Sequence, residues 1–364
     1  MSARKVIIGC SAVALVTVAF LVIGGIVAFR RLTSPAPLPP AARLVDSQSL
    51  GLAVVRLDPD DPWVEETLSQ LSKYSTREQK PKEMFPLELV WTERRASDGR
   101  EHHILSLSLS RGGRFLGLVG DIMLWRAGRE DQAKVARVEY GGEGITSFPG
   151  TPLQGHLFIR DNSFIWSSDL DTAKKAVDLL SSVQDGGGAG PAATGEPLRV
   201  FSLVPRGDGH TLSGAILNEN GSLARSLSLV PGESLDFPVE MLAPVENLIF
   251  TLDTSSANDG TGEIILAFVP GTPAETIAGM AREMSVRLAA VPLAKVTIEA
   301  TPRLEESRAV LTLKVGGLDS VSAPLLAMFT RSIKHVESFS SGHHGEEEPS
   351  GAGKDPNQSS STFQ

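Results

Sequence analysis

Cysteine is almost absent from this chain of 364 residues, and aromatic residues make up only 5% of it. The single cysteine, Cys10, lies in an apolar segment near the N-terminus. The rest of the chain therefore has no disulfide, no cysteine nucleophile and no cysteine ligand for zinc or an iron–sulfur cluster. The scarcity of aromatic residues predicts a mainly aliphatic core.

The signature motifs of catalysis are also missing. The sequence has no G-x-S-x-G nucleophile elbow, no H-E-x-x-H zinc motif, no phosphate-binding P-loop and no lactamase-type serine–lysine set. The formal net charge is −9, whereas surfaces that bind nucleic acid are basic. The sequence therefore predicts no cofactor, no metal, no nucleic-acid partner and no enzymatic activity.

One long apolar run stands out at the N-terminus. Residues Val6 to Phe29 carry no charge, and Arg4-Lys5 and Arg30-Arg31 flank them. As a helix, about 24 residues span ~36 Å, which exceeds the roughly 30 Å hydrocarbon core of a bilayer. The run predicts a transmembrane helix over 6–29, an uncleaved signal anchor that follows a short tail at residues 1–5.

Two other N-terminal signals fit this run less well. A cleaved signal peptide has a shorter apolar core and a small-residue cleavage site, whereas this run ends in Phe29-Arg30-Arg31. A lipoprotein signal needs an apolar core before its cysteine, and Cys10 follows too closely after Lys5. Within the run, Gly24 and Ala28 indicate either close helix packing or the ordinary composition of a membrane span.

The charges that flank the run do not decide which side of the membrane the rest of the chain occupies. A short tail, a Pro-rich stalk at 30–46 and a large polar region favour an extracytoplasmic location, because long domains translocate largely regardless of charge. A disulfide-free exterior domain suits the periplasm of a bacterial envelope. The predicted partners are the lipid bilayer, through 6–29, and other proteins of the envelope.

Composition divides the remaining chain into two globular regions. A Gly/Pro-rich linker at 186–197 separates a first subdomain, 47–185, from a second subdomain, 198–336. Residues 337–364 are rich in Ser, Gly, Glu and Pro, a composition typical of a disordered tail.

The hydrophobic pattern of both regions alternates between strand and helix periods. A strand–strand–helix order recurs at 156–183, 248–290 and 296–334, which favours an ancient duplication. Leu105 and Leu107 alternate with serines, as in a half-buried antiparallel strand. The predicted fold class is therefore α+β: antiparallel sheets with amphipathic helices on one face.

Several local signals predict individual elements. Asp61 and Pro62 predict the start of a helix, and Asp161-Asn162 predicts a hairpin turn. Residues 198–204 read as a strand and 212–229 as a helix. Thr272-Pro273-Ala274-Glu275 predicts a capping box.

The histidines leave a catalytic alternative open. His102 and His103 are adjacent on a predicted strand, so they face opposite sides and cannot easily share one metal.

The leading hypothesis is a single-pass membrane protein that presents an extracytoplasmic α+β domain for binding or as a scaffold. One alternative is a tethered hydrolase with a dispersed serine, acid and histidine such as His102 or His156. Another is a structural subunit of an envelope complex.

Overall fold

The computed structural model describes residues 41–74, 86–95, 99–110, 120, 135–148, 155–181, 198–205, 210–228, 235–291 and 295–320. The predicted membrane helix 6–29, the linker 186–197 and the tail 337–364 lie outside these ranges. Within the described ranges, no helix has the length and apolar character that crossing a membrane requires.

Most of the described chain is β-structure. The strands are β1 Ser49–Leu57, β2 Leu87–Arg95, β3 Glu101–Leu109, β4 Ala136–Tyr140, β5 Glu143–Ser147, β6 His156–Arg160, β7 Ser163–Ser167, β8 Leu212–Leu217, β9 Val245–Thr254, β10 Gly260–Phe268, β11 Thr297–Glu305 and β12 Arg308–Gly316. They form one sheet in the order β11-β12-β10-β9-β8-β1-β2-β3-β7-β6-β5-β4, and neighbouring strands are antiparallel.

The described helices are short and lie between the strands along the chain. A 3₁₀ turn at Ala41–Leu44 comes first, followed by α1 Pro62–Tyr74, α2 Leu170–Ser181, α3 Arg199–Leu203, α4 Ser222–Ser228, α5 Val239–Leu242 and α6 Ala274–Ala289. Leu44 and Val45, at the end of the predicted stalk, are buried in the core. The folded part therefore begins before β1.

The predicted α+β class, with antiparallel sheets covered by helices on one face, is wrong. A single twelve-stranded antiparallel sheet dominates the structure, and apolar cores lie on both of its faces. The sheet is continuous because β1 pairs with β8, with Leu52 opposite Ala215 and Val54 opposite Ser213. Alternating hydrophobicity specifies strands, but it does not specify which strands become neighbours.

The two faces of the sheet are distinguished by alternate residues of β8. Ile216 belongs to the core that includes residues of α4 and α6, and we name this side the front face. Ala215 and Leu217 belong to the core that includes residues of α2 and α3, on the back face. Helices on both sides explain why β8 is buried along most of its length.

The serines of β3 lie on a buried face. Ser106 and Ser108 are 2% and 1% exposed, because α2 packs against the back face of this part of the sheet. The hydroxyls of Ser108 and Ser163 lie 2.7 Å apart and satisfy each other. Strand β3, which the sequence predicts to be half-buried, is therefore buried on the face that carries its serines.

Local signals had mixed outcomes at the ends of helices and strands. The Asp61 cap is confirmed, since its Oδ1 accepts the Trp63 backbone N–H at 2.9 Å. The hairpin turn at Asp161 is confirmed between β6 and β7, and this residue has a φ of 54°. The capping box is wrong, because the Thr272 hydroxyl donates to the Val269 carbonyl at 2.7 Å and Pro273 holds the cap position.

The predicted strand at 198–204 is wrong, and the predicted helix at 212–229 is correct only over 222–228. Residues 199–203 form α3, and 212–217 form β8, the strand next to the centre of the sheet. A central strand covered on both faces has no alternation to distinguish it from a buried helix. Asn220 and Gly221, both at positive φ, make the turn from β8 into α4.

The two halves of the sheet repeat the same order outward from the β1–β8 pair. On one side lie β2, β3 and the hairpin β6–β7, and on the other lie β9, β10 and the hairpin β11–β12. A short helix precedes β1 and β8, and another helix follows each of them. The repeated topological unit is thus half of the sheet, a larger unit than the predicted strand–strand–helix, and β4–β5 lies outside this repeat at one edge.

The edge strand β11 differs from the strands inside the sheet. Most of its nine residues are exposed, and Pro302 lies in its middle opposite Leu311 of β12. Proline has no N–H to donate, and for that reason it is found almost entirely on edge strands.

We expect the centre of the sheet to be sensitive to one added methyl group. A Cβ at Gly214 would lie 2.3 Å from the Phe250 ring and 2.6 Å from the Leu52 carbonyl oxygen. Gly214→Ala should therefore lower the free energy of unfolding by about 1–3 kcal/mol. Urea unfolding followed by tryptophan fluorescence measures the change.

The matched control is Gly279→Ala on α6, where an added Cβ meets nothing within 4 Å. It should raise stability by up to about 1 kcal/mol, because alanine favours helix more than glycine does. Equal stability of the two variants would contradict the tight packing assigned to the β1–β8 junction.

Candidate functional site

A cavity of about 800 Å³ lies on the front face, where β2 and β3 end near α4. Its size falls within the usual range for small-molecule sites. Eight of its lining residues carry ionisable or hydroxyl groups: Glu93 and Arg95 of β2, Arg100 just before β3, Glu101 and His103 of β3, and Arg225, Ser226 and Ser228 of α4. The strands thus contribute one wall and a helix from the other half of the sheet contributes the second.

Glu93 is the deepest ionisable group of this cavity. Its side chain is fully buried, and the Ser226 hydroxyl donates to its Oε2 at 2.5 Å. Burial raises the pKa of Glu93 to about 7, because removal from water disfavours the charged carboxylate more than Ser226 stabilises it. Its other oxygen, Oε1, has no hydrogen-bond partner among the described residues.

His103 lies directly opposite Glu93 in the β2–β3 pairing, so both side chains project to the same face. Its ring stacks on Trp91, with ring centres 5.8 Å apart. Burial lowers the pKa of His103, which keeps the imidazole neutral at pH 7. Its Nδ1 atom is buried without a partner within the described part of the chain.

The Ser226 hydroxyl has two acceptors and one proton. Its Oγ lies 2.5 Å from Glu93 Oε2 and 3.0 Å from the Ser222 carbonyl oxygen. When Glu93 is ionised, Ser226 donates to the carboxylate. When Glu93 is protonated on Oε2, it can donate to Ser226, and the serine proton can turn to Ser222. In these two arrangements Glu93 Oε1 stays an acceptor.

Ion pairs close the rim of the cavity and join the two halves of the chain. Arg225 of α4 makes a two-point contact with Glu101 of β3. Glu219, which precedes α4, accepts from Arg95 of β2 at 3.3 Å and from Arg199 of α3. Exposed pairs of this kind contribute little to stability, so their main effect is to place α4 over the ends of β2 and β3.

The pairing register identifies the equivalent position in the other half of the sheet. The β1–β8 pairs run from Gly51 to Val55, and their midpoint is Ala53 opposite Gly214. Trp91 lies opposite Ala53 on β2, and Phe250 lies opposite Gly214 on β9. Trp91 and Phe250 therefore occupy equivalent places.

Glu93 lies two residues after Trp91, and Leu252 lies two residues after Phe250, so Leu252 is the equivalent of Glu93. Glu93 pairs with His103 and Leu252 pairs with Gly262, so Gly262 is the equivalent of His103. Leu252 packs against the front core together with Leu318. The Trp63 indole donates to the Leu318 carbonyl at 3.0 Å and holds α1 over this place. The second half thus has apolar packing where the first half has a polar cavity.

The residues that the sequence singled out are not brought together at this cavity. Val6, Phe29, Gly24 and Ala28 lie outside the described residues. His102 points to the back face, opposite Arg94, as the alternation of a strand predicts. Of the two histidines named for the hydrolase alternative, neither lines the cavity.

His156 has a serine partner on the back face. Its Nδ1 lies 2.7 Å from the Ser147 hydroxyl, and the charge of Asp169 acts on the ring. Burial lowers the pKa of His156. The contact joins adjacent strands, since Ser147 and His156 are a cross-strand pair of β5 and β6.

Glu93 and Ser226 were missed by the sequence reasoning, although one signal was present. Leu87, Leu89, Trp91 and Glu93 share one side of β2, so a carboxylate follows three large apolar residues on the same face. A carboxylate in this position is either buried itself or lies at the end of the buried part of that strand face. Ser226, which is 133 residues away in sequence, gave no comparable signal.

Comparison of the chain with protein-family models, curated proteins and solved structures finds no match. In the described part of the chain, no group of three or more His, Cys, Asp or Glu side chains is arranged to hold a metal ion. The roles of the cavity residues are therefore argued from their geometry.

The raised pKa of Glu93 predicts how stability depends on pH. Folding holds a proton that the unfolded chain releases, so stability falls as pH rises from the ordinary value of 4.5 to about 7, and then levels off. The loss attributable to Glu93 is on the order of 3 kcal/mol. In Glu93→Gln this part of the pH dependence should vanish, as measured by urea unfolding between pH 4 and pH 8.

Glu263→Gln, at an exposed position of β10, is the matched control and should keep the full dependence. Burial also raises the pKa of Glu88, so a residual slope remains in every variant. If Glu93→Gln and Glu263→Gln show the same slope, Glu93 does not hold a proton in the folded state.

Proposed function

We propose that this protein is a membrane-tethered binding protein whose extracytoplasmic sheet domain takes a small polar molecule into the front-face cavity. One observation carries the proposal: Glu93 Oε1 and His103 Nδ1 are buried at this cavity, and neither has a hydrogen-bond partner among the described residues. Leaving a buried polar atom unpaired costs about 1–3 kcal/mol, which a bound ligand with matching groups recovers.

The comparison of the two halves supports this reading. The same place in the second half contains Leu252 and is covered by Leu318 and Trp63. The fold thus accommodates apolar packing there, and the polar cavity is not a requirement of the sheet. A feature that is retained at a cost in stability, and that the fold does not demand, is typical of a binding site.

The tether rests on the sequence. The apolar run over 6–29 has the length of a membrane span, and the Pro-rich segment after it separates the domain from the bilayer. We place the domain outside the cytoplasm because large domains translocate largely regardless of flanking charge. A tethered domain with a polar cavity can capture a solute or present it to an envelope partner.

The hydrolase alternative has one observation in its favour, the contact between Ser147 and His156. A serine nucleophile also needs a place for its substrate. Ser147 does not line the cavity described above, and Asp169 acts on His156 through charge without a described hydrogen bond. Binding is therefore the better-supported function.

Binding at the cavity predicts a specific effect of filling it. Ser226→Leu removes a lining hydroxyl and inserts a larger apolar side chain, so small polar molecules should lose most of their binding. Saturation-transfer NMR of a library of sugars, organic acids and amino acids against the full-length protein in detergent measures this. The matched control is Ser285→Leu on α6, because the hydroxyls of Ser226 and Ser285 both lie within hydrogen-bond distance of the carbonyl oxygen four residues earlier. Compounds that bind both variants equally would place their site elsewhere.

The tether predicts that residues 1–31 alone determine membrane association. Full-length protein should sediment with membranes and resist extraction by carbonate at high pH, whereas a chain that begins at residue 32 should be released. Substitution of Gly24 by leucine separates the tether from helix packing, since it preserves the apolar run. Release of the full-length chain by carbonate would contradict a membrane span.

A further inference from the structure

We propose that the ligand of the front-face cavity is a small hydroxylated acid, a molecule with a carboxylate at one end and hydroxyl donors at the other, such as a sugar acid. This inference rests on the proposed binding function and specifies its substrate class. It follows from the distribution of charge and of unpaired acceptors along the cavity wall.

The mouth of the cavity favours an anion. Arginines outnumber carboxylates among the lining residues and their ionic partners: Arg95, Arg100, Arg199 and Arg225 against Glu93, Glu101 and Glu219. The high pKa of Glu93 reduces the negative charge further at neutral pH. The local excess of positive charge contrasts with the net charge of −9 for the whole chain.

The rim arginines have donors left for a carboxylate. A guanidinium carries five N–H donors in a planar fork. Arg95 donates to the side chain and the carbonyl of Glu219, which uses two of its five. Arg225 contacts Glu101 twice and the Asn220 carbonyl once. Both can therefore donate to a further carboxylate at the mouth.

The floor of the cavity requires a donor from the ligand. Glu93 Oε1 accepts when the carboxylate is ionised and also when the proton is on Oε2, and the neutral His103 ring has one nitrogen that accepts. A hydroxyl group can donate to Glu93 and accept from or donate to His103, whichever tautomer is present. An aliphatic end would leave both atoms unpaired and would bind less tightly.

The strand geometry sets the spacing between the two ends. Glu93 and Arg95 lie on the same face of β2, two residues apart, which separates their Cα atoms by about 6–7 Å along the strand. A pyranose ring with a carboxylate at one end and a ring hydroxyl across from it spans roughly this distance. The cavity of about 800 Å³ also has room for one such ring or two.

The experiment compares three molecules of the same ring shape and different charge: glucuronate, its neutral amide glucuronamide, and the cationic glucosamine. Isothermal titration at pH 7 and low salt uses the full-length protein in detergent. We expect glucuronate to bind at least ten-fold more tightly than glucuronamide, and glucosamine to bind most weakly.

Two variants separate the ends of the ligand. Arg95→Gln at the mouth should weaken glucuronate at least five-fold and leave glucuronamide unchanged, whereas Glu93→Leu at the floor should weaken both by a similar factor. Arg282→Gln, at an exposed position of α6, controls for loss of one positive charge and should change neither. Circular dichroism of each variant establishes that it is folded before the titration is read.

The outcomes distinguish the ligand class from the binding function. Tighter binding of glucosamine, or equal binding of the acid and its amide, would overturn the acid class and leave the cavity as a binding site. If none of the three sugars binds, the acid class is overturned as well. The library screen described above then tests the binding function by itself. Loss of glucuronate binding in Arg282→Gln would show that only overall charge matters.

Discussion

The antiparallel pairing of β1 with β8 is the interaction on which the rest of the structure depends. It joins two half-sheets into one, with Ala53 opposite Gly214 at its centre. It also determines where the helices lie, because the helix that follows each central strand reaches over the other half. Through this exchange Ser226 meets Glu93 in one half, and Trp63 meets Leu318 in the other. A change of register by one residue would turn both contacts to the wrong face.

The same arrangement explains why one half can carry a polar cavity. In the second half, Leu252 and Leu318 fill the equivalent place and contribute apolar burial. In the first half, Glu93 is buried with one oxygen unpaired, which weakens the folded state near neutral pH. The stability of the continuous sheet offsets this local loss of folding free energy. One half-sheet thus has apolar packing at this place, and the topologically equivalent half has a polar cavity.

Local interactions were predictable from the sequence, and interactions between distant segments were not. The cap at Asp61 and the hairpin at Asp161 depend on residues within a few positions, and both were correct. The capping box at Thr272 failed because Pro273 holds the N-cap position and the Thr272 hydroxyl donates to the Val269 carbonyl outside the helix. The merging of the sheets and the burial of Ser226 against Glu93, 133 residues apart, depend on chain topology, which periodicity does not encode. The candidate site lies at such a contact and was therefore missed.

Pro302 on the edge strand β11 affects how two copies of this protein meet at their sheet edges. Under the proposed membrane tether, each molecule would meet its own copies in two dimensions, where encounters between sheet edges are far more frequent than in dilute solution. An edge with a full set of donors would add a strand from a neighbour and begin a ribbon across the bilayer. The proline ring and the charged, exposed side chains around it, such as Arg303 and Glu305, interrupt that ladder. The edge thus keeps neighbouring molecules separate while they remain close together.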